Sequence, residues 1–355
     1  MVKPINLDKR LSKEEALDLI QNASLNELGK LASQKKTQLH PDKITTFVVD
    51  RNINYTNVCW VDCKFCAFYR HKKDDESYVL SYEQIDEKIE ELLAIGGTQI
   101  LMQGGVHPNL KIDYYEDLVE HIHTKFPQIT LHSFSAIEIT YIAKVSKISK
   151  LEVLKRLQAK GLSSIPGAGA EILSDKVRDV IAPKKIDVKD WIEVHKLAHS
   201  IGMKTTATMM FGTIESDEDI IEHWDLVRRL QDETQGFRAF IMWSFQSANT
   251  KLKEEIPDLK PQSSNRYLRL LAVSRLFLDN VPNIQSSWVT QGSYIGQLAL
   301  KFGANDLGST MMEENVVAAA GASNCMNQDE MITLIKDIGE KPAKRNTAYE
   351  IVERY

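Results

Sequence analysis

From about residue 46 to residue 325 the chain alternates short apolar runs with amphipathic helical stretches, with no linker or low-complexity segment between them. TQILMQGG, ITLHSFSAIEI, MKTTATMMFGTIE, FRAFIMWSFQ and NIQSSWVT read as buried strands. YYEDLVEHIHTKF, LEVLKRLQAKG, WIEVHKLAHSIG, DIIEHWDLVRRLQDET and NRYLRLLAVSRLFLDN read as helices with one apolar face. Such alternation dictates parallel strands joined by helical crossovers. About seven or eight units of this size give an α/β fold of (βα)8 type, a TIM-like barrel, in preference to two domains. Ser12 with Glu15 and Ser24 with Glu27 are capping-box patterns that open two helices within residues 12–37. The chain thus divides into an N-terminal helical extension (1–45), a barrel (46–325) and a C-terminal helix and tail (326–355).

In a barrel of this kind the reactive groups sit at the C-terminal ends of the strands. The segments expected there are QGGVHP, HSFSAIE, SIPGAGAE, TMMFGT, WSFQ and SWVTQG, together with a cysteine loop. They are rich in Gly, Ser, His, Glu and Gln. Turn geometry alone favours Gly and Ser, so this enrichment is compatible with a purely structural reading.

A net charge of −5 and the lack of any Lys/Arg block beyond pairs such as Lys184–Lys185 give no reason to expect a nucleic-acid partner. The charged N-terminus lacks the apolar core of a signal peptide. No stretch approaches the roughly 18 apolar residues of a membrane span. These features, with four cysteines of which three are clustered, point to a soluble protein of the reducing cytoplasm.

Cys59, Cys63 and Cys66 fall within NYTNVCWVDCKFCAFYR. Three thiolates can hold three irons of a cubic iron–sulfur cluster and leave the fourth iron open to a small chelating molecule. An electron-transfer cluster or a structural zinc would normally have four protein ligands. A zinc reading would have to borrow a distant histidine such as His71. A reading as buried apolar thiols conflicts with Asp62, Lys64 and Arg70 in the same loop. The fourth cysteine, Cys325, lies in AGASNCMN, far downstream.

The C-x3-C-x2-C spacing followed by Phe68 resembles the signature of the radical S-adenosylmethionine (SAM) superfamily. GLSSIPGAGAEIL, TTATMMFGTIE and SWVTQGSYIGQLALKFGANDLGSTMMEENVV narrow the resemblance to the cyclic dehypoxanthinyl futalosine synthases of the futalosine route to menaquinone. Ala168 stands where that family's SIPGGGAE loop usually has glycine, a mild change if φ there is negative.

The resemblance implies a 4Fe–4S cluster on Cys59, Cys63 and Cys66 and SAM at its open iron. Gly104 and Gly105 would lie against the methionine amino group, and Phe68 would pack on the adenine. Ser135 and Glu138 would hold SAM or contact substrate, and Glu138 and Glu171 are the catalytic carboxylate candidates. Ser287, Trp288, Thr290, Gln291, Asn305 and Asp306 would contact dehypoxanthine futalosine, with Trp288 against its benzoate ring. Arg178 and Arg238 are candidates for the benzoate carboxylate. His132, Met209, Met210 and Cys325 read as structural. The implied reaction removes a hydrogen from ribose C4′ and closes the sugar onto the benzoate ring, with an electron donor such as flavodoxin or ferredoxin. The alternatives are an aminofutalosine synthase-type transferase and a non-catalytic iron–sulfur or zinc protein. A hydrolytic barrel is disfavoured because no HExxH motif occurs.

Overall fold

The computed structural model describes residues 5–321 and 324–355; the first four residues of the expected extension, and residues 322 and 323 beside Cys325, lie outside it. Among the described residues eleven strands are formed: β1 (Ile44–Val48), β2 (Asp50–Ile53), β3 (Gln99–Met102), β4 (Thr130–Ser133), β5 (Leu162–Ser164), β6 (Thr205–Phe211), β7 (Phe237–Ser244), β8 (Asn283–Gln285), β9 (Asp306–Ser309), β10 (Lys341–Arg345) and β11 (Ile351–Arg354). Only Val49 separates β1 from β2, so the two act as one strand with two sets of neighbours. β1 pairs in parallel with β9, and β2 pairs in parallel with β3. From β2 the order runs β3, β4, β5, and from β6 it runs β7, β8, β9, with all pairs parallel. A parallel bridge from Ile165 to Thr205 joins the two arcs. Counting β1 and β2 once, β1–β9 make the eight staves of a closed barrel.

Helices cover the outside because each strand's other face is apolar. Phe240, Met242, Ile100 and Leu131 are fully buried in that layer, against helix residues such as Ile89, Leu118, Leu157, Trp191 and Trp224. Serine caps set many helix starts: Ser81 and Ser216 form capping boxes ahead of helices Tyr82–Ala94 and Asp217–Thr234. Ser12 also forms its box with Glu15, whereas Ser24 only accepts the Glu27 N–H. The helices Lys13–Asn22 and Leu25–Leu39 pack on the barrel helix Ser264–Phe277, where Arg269 donates to the carbonyl of Ala23 at 2.6 Å.

The C-terminal segment is more than a helix and tail. After helix Gln328–Asp337, β10 lies parallel to β1 along residues 44–47, on the lower part of that strand, and β11 folds back antiparallel on β10. The sequence KPAKR gives no strand signal because it lacks an apolar run; pairing to an existing edge supplies the strand. No described helix is long and apolar enough to cross a membrane.

Candidate active site

The loop between β2 and helix Tyr82–Ala94 carries the three cysteines and is pinned from several sides. Cys59 N–H donates to Arg70 O at 2.9 Å, Arg70 N–H to Asn57 O at 2.8 Å, and Cys66 N–H to Cys63 O at 3.0 Å. Lys64 ties it to the far side of the mouth, donating to Ile181 O at 2.9 Å and accepting from Leu252 N–H at 2.7 Å. Asp62 adopts φ 53, and its carboxylate takes His71 Nε2 at 2.8 Å and the ammonium of Lys184. His71 Nε2 is thus bonded to Asp62.

All three cysteines are free and half-buried, and all three line one cavity of about 410 Å³. Burial pushes each thiol up, that of Cys63 to about 12. Among the described residues no three Cys, His, Asp or Glu side chains converge on a single ion. A mononuclear metal demands such convergence; a cubic cluster gives each thiolate its own iron and does not. The donor set fits the cluster.

Gly104 and Gly105 follow β3 and line the same cavity. A Cβ on Gly104 would lie 2.6 Å from the Tyr55 ring, and one on Gly105 would lie 2.4 Å from Val58 O. Their bareness thus also accommodates the protein's own cysteine loop. Phe68 also lines the cavity.

Glu138 is buried at the start of helix Ala136–Ser146. Its Oε2 accepts Ser135 N–H at 2.7 Å and Ser135 Oγ–H at 2.6 Å; its Oε1 accepts Tyr55 O–H at 2.8 Å and Gly104 N–H at 3.1 Å. Burial nonetheless moves its pKa up. Ser135 and Glu138 face the cavity, but the carboxylate's four protein donors make it first the clasp between β2, β3 and the helix.

Opposite the cysteines, Glu171 stands at φ 45 and forms a buried ion pair with Lys185, whose Nζ lies 5.1 Å from the centroid of the Phe65 ring. Both line the cavity, and the charge of Lys185 pulls the Cys63 thiol down against burial. Nothing local in the sequence marks Lys185, since its position depends on a loop brought in from the next crossover. Arg178 is spent on backbone, donating to the carbonyls of Gly169 at 3.1 Å, Ala170 at 2.5 Å and Ile186 at 2.5 Å. Ala168 is not among the residues with positive φ, so its methyl is tolerated, while Gly169 takes φ +88.

The substrate candidates divide. Ser287 and Thr290 line the cavity, their hydroxyls 3.1 Å apart. Gln291 stands behind, donating to Ser244 Oγ at 2.8 Å, and Ser244 lines the wall. Trp288, Asn305 and Asp306 do not line it. Trp288 is buried with Nε1–H on Ser309 O at 3.0 Å; Asn305 accepts from Arg275 at 2.6 Å; Asp306 accepts two bonds from Arg345, at 2.5 and 3.0 Å. Trp288, on the short helix Trp288–Gln291, is thus tied to β9, and Asn305 and Asp306 hold the guanidinium groups of Arg275 and Arg345. Trp243 and Met210 line the cavity where the sequence pointed to Trp288 and to core; Met209 is core as expected.

Below the mouth the interior is polar. Asp50 accepts from Ser309 and, at 2.7 Å, from Gln99; Gln99 accepts from Thr347 at 2.6 Å. His132 Nδ1 meets Ser164 Oγ at 2.5 Å. Asn52 Oδ1 and Gln103 Nε2, on cavity-lining residues, are buried and have no partner among the described residues. The alternation of Asp50, Asn52 and Asn54 in DRNIN was the signal for a polar inward face.

Residues 53–227 match the radical SAM superfamily model, and residues 234–354 match the CofH/MqnC C-terminal region. The chain belongs to the radical SAM superfamily. This radical SAM enzyme is 48% identical over 347 residues to a cyclic dehypoxanthine futalosine synthase of Halalkalibacterium halodurans, covering 98% of this chain and 93% of the relative. A synthase of the same name from Streptomyces coelicolor is 44% identical over 344 residues, covering 96% and 85%. A 5-amino-6-(D-ribitylamino)uracil–L-tyrosine 4-hydroxyphenyl transferase of Methanococcoides burtonii is 40% identical over 351 residues, covering 96% of each chain. Among solved structures, the FeFe-hydrogenase maturase HydG superposes with TM-score 0.75 at 16% identity, covering 96% of this chain and 74% of its own, a likeness of fold. Enzymes of this superfamily use a 4Fe–4S cluster and SAM, and the thiol set described above suits this member for them.

Proposed function

We propose that this radical SAM enzyme is a cyclic dehypoxanthine futalosine synthase of menaquinone biosynthesis, resident in the cytoplasm and served by a flavodoxin or ferredoxin. The observation that carries the reading is the single cavity: the cysteine triad and the polar barrel interior are two regions of one lined space. A radical generated at the mouth then meets its substrate without crossing solvent. The near full-length identity to two synthases supports the substrate. Bound at Cys59, Cys63 and Cys66, a cluster with SAM would supply hydrogen-abstraction chemistry for the ribose C4′ position.

The chain's residues do the holding. Cys59, Cys63 and Cys66 ligate the irons, and the backbone at Gly104 and Gly105 forms the adjoining wall with Phe68. Lys185, balanced by Glu171, offers an ammonium beside Cys63 for an anionic group of the cofactor. Ser287 and Thr290 offer hydroxyl groups to the sugar. Closure onto the benzoate ring would leave one electron, which the cluster that had spent one on SAM would take back, and one proton, which would pass to solvent.

The transferase relatives share enough of the chain to demand a test that separates the two. Anaerobically reconstituted protein, dithionite, SAM and dehypoxanthine futalosine deuterated at C4′ should yield deuterated 5′-deoxyadenosine and a cyclised product. Unlabelled deoxyadenosine, or turnover only with L-tyrosine and 5-amino-6-(D-ribitylamino)uracil, would sink the cyclase reading.

A further inference from the structure

We propose that Arg238 grips the carboxylate of the substrate's aromatic acid at the foot of the barrel and thereby sets selectivity for an acidic substrate; this rests on the cyclase reading. Three independent features of the molecule point to it. The first is backbone. In the pairing of β6 with β7, Thr205 opposes Phe237 and Thr206 opposes Ala239, so Arg238 is the extra residue of a β-bulge. On β7 the inward side chains are Ile241 and Trp243, at alternate positions; regular alternation would turn residue 238 away. The bulge re-aims it, and Arg238 lines the cavity.

The second is charge. Among the described residues the Arg238 guanidinium forms no ion pair, and its one hydrogen bond is from Nη1 to Thr347 O at 3.1 Å. Arg345, the neighbouring guanidinium, is neutralised by Asp306. Glu350, whose charge reaches Arg238, accepts a bond from Asn346 at 2.7 Å and none from the guanidinium, and Asp50 accepts from Gln99 and Ser309. A guanidinium carries five N–H donors in a planar fork, and a half-buried one with most of them unused favours a carboxylate. Its charge also reaches His132 on β4.

The third is reach. Ser244, at the mouth end of β7, lies six positions beyond Arg238, roughly 20 Å along the strand. Ile241 and Trp243 lie between as an apolar wall. A ring standing on that wall would put its carboxylate down at Arg238 and the sugar up toward the cysteines.

The test uses reconstituted holoenzyme with dehypoxanthine futalosine and its neutral carboxamide analogue. Wild type should favour the acid in kcat/KM by about tenfold or more, and Arg238→Gln should raise KM for the acid roughly ten- to a hundredfold while leaving the carboxamide within about twofold. Arg238→Lys should recover part of the loss. Iron content and substrate-free SAM cleavage of the variants should match wild type. Equal preference of wild type for acid and carboxamide overturns the assignment even if Arg238→Gln fails to fold. So does an Arg238→Gln loss that is the same for both substrates. Wild type inert toward the acid overturns this assignment and the cyclase reading together, whereas wild type active with equal preference overturns only the former.

Discussion

Asp50 is a carboxyl enclosed by the barrel, and its surroundings set its proton affinity. Burial raises its pKa from 3.8 to about 6 against the hydrogen bonds of Ser309 and Gln99 and the charge of Arg345. A carboxyl that binds its proton more tightly folded than unfolded destabilises the fold once ionised. The cost is absent below pH ~4, grows between about 4 and 6, and is complete above that, about 3 kcal/mol at most. Asp50→Asn removes the titration. The melting temperature of the variant minus that of wild type should therefore climb from pH 4 to pH 6.5 and then level off. Parallel melting profiles across that range would show that Asp50 does not titrate in this way. At this scale the sequence was readable where chemistry depends on spacing along the chain, as for Cys59, Cys63 and Cys66. It was unreadable where chemistry depends on approach through space. Lys185 gains its place beside Cys63 only when the loop after Arg178 folds over, and Asn305 and Asp306 look like site residues until their partners Arg275 and Arg345 are seen.

Among elements, the helix Ala136–Ser146 shows how a start signal becomes part of a site. Ser135 and Glu138 form its capping box, and the same carboxylate reaches Tyr55 on the strand-end of β2 and the backbone of Gly104 after β3. Helix start, cofactor wall and cysteine-loop support therefore depend on one side chain. Glu138→Gln keeps the shape but replaces one acceptor oxygen by a donor, which must face a backbone N–H or a hydroxyl. The expected cost is about 1–3 kcal/mol. It should be read as a lowered melting temperature together with weaker SAM binding in equilibrium dialysis; unchanged values for both would show that the clasp is dispensable. The capping pattern was legible because it is local, as were the strand–helix alternation and hence the barrel. The second half of the clasp was not, because Tyr55 lies 83 positions from Glu138.

For the whole molecule, closure of the barrel depends on its last residues. β10 occupies the lower flank of β1, Thr347 reaches Gln99, and Arg345 enters the interior to meet Asp306, the Arg345 carbon lying 3.9 Å from the Tyr349 ring centroid. A segment with no strand signal of its own thus completes the fold by pairing to an existing edge and by bringing a guanidinium to a fully buried carboxylate. Arg345→Ala would leave Asp306 buried with only the Thr46 hydroxyl at 2.5 Å. Removing one partner of such a pair costs about 3–5 kcal/mol, whereas replacing both by apolar groups costs far less. Urea denaturation should accordingly show a large fall in midpoint for Arg345→Ala, and a smaller one for the double variant Arg345→Met, Asp306→Leu. The exposed Arg354→Ala serves as control. If Arg345→Ala unfolds at the same urea concentration as Arg354→Ala, the tail is an ornament on the barrel and not its clamp.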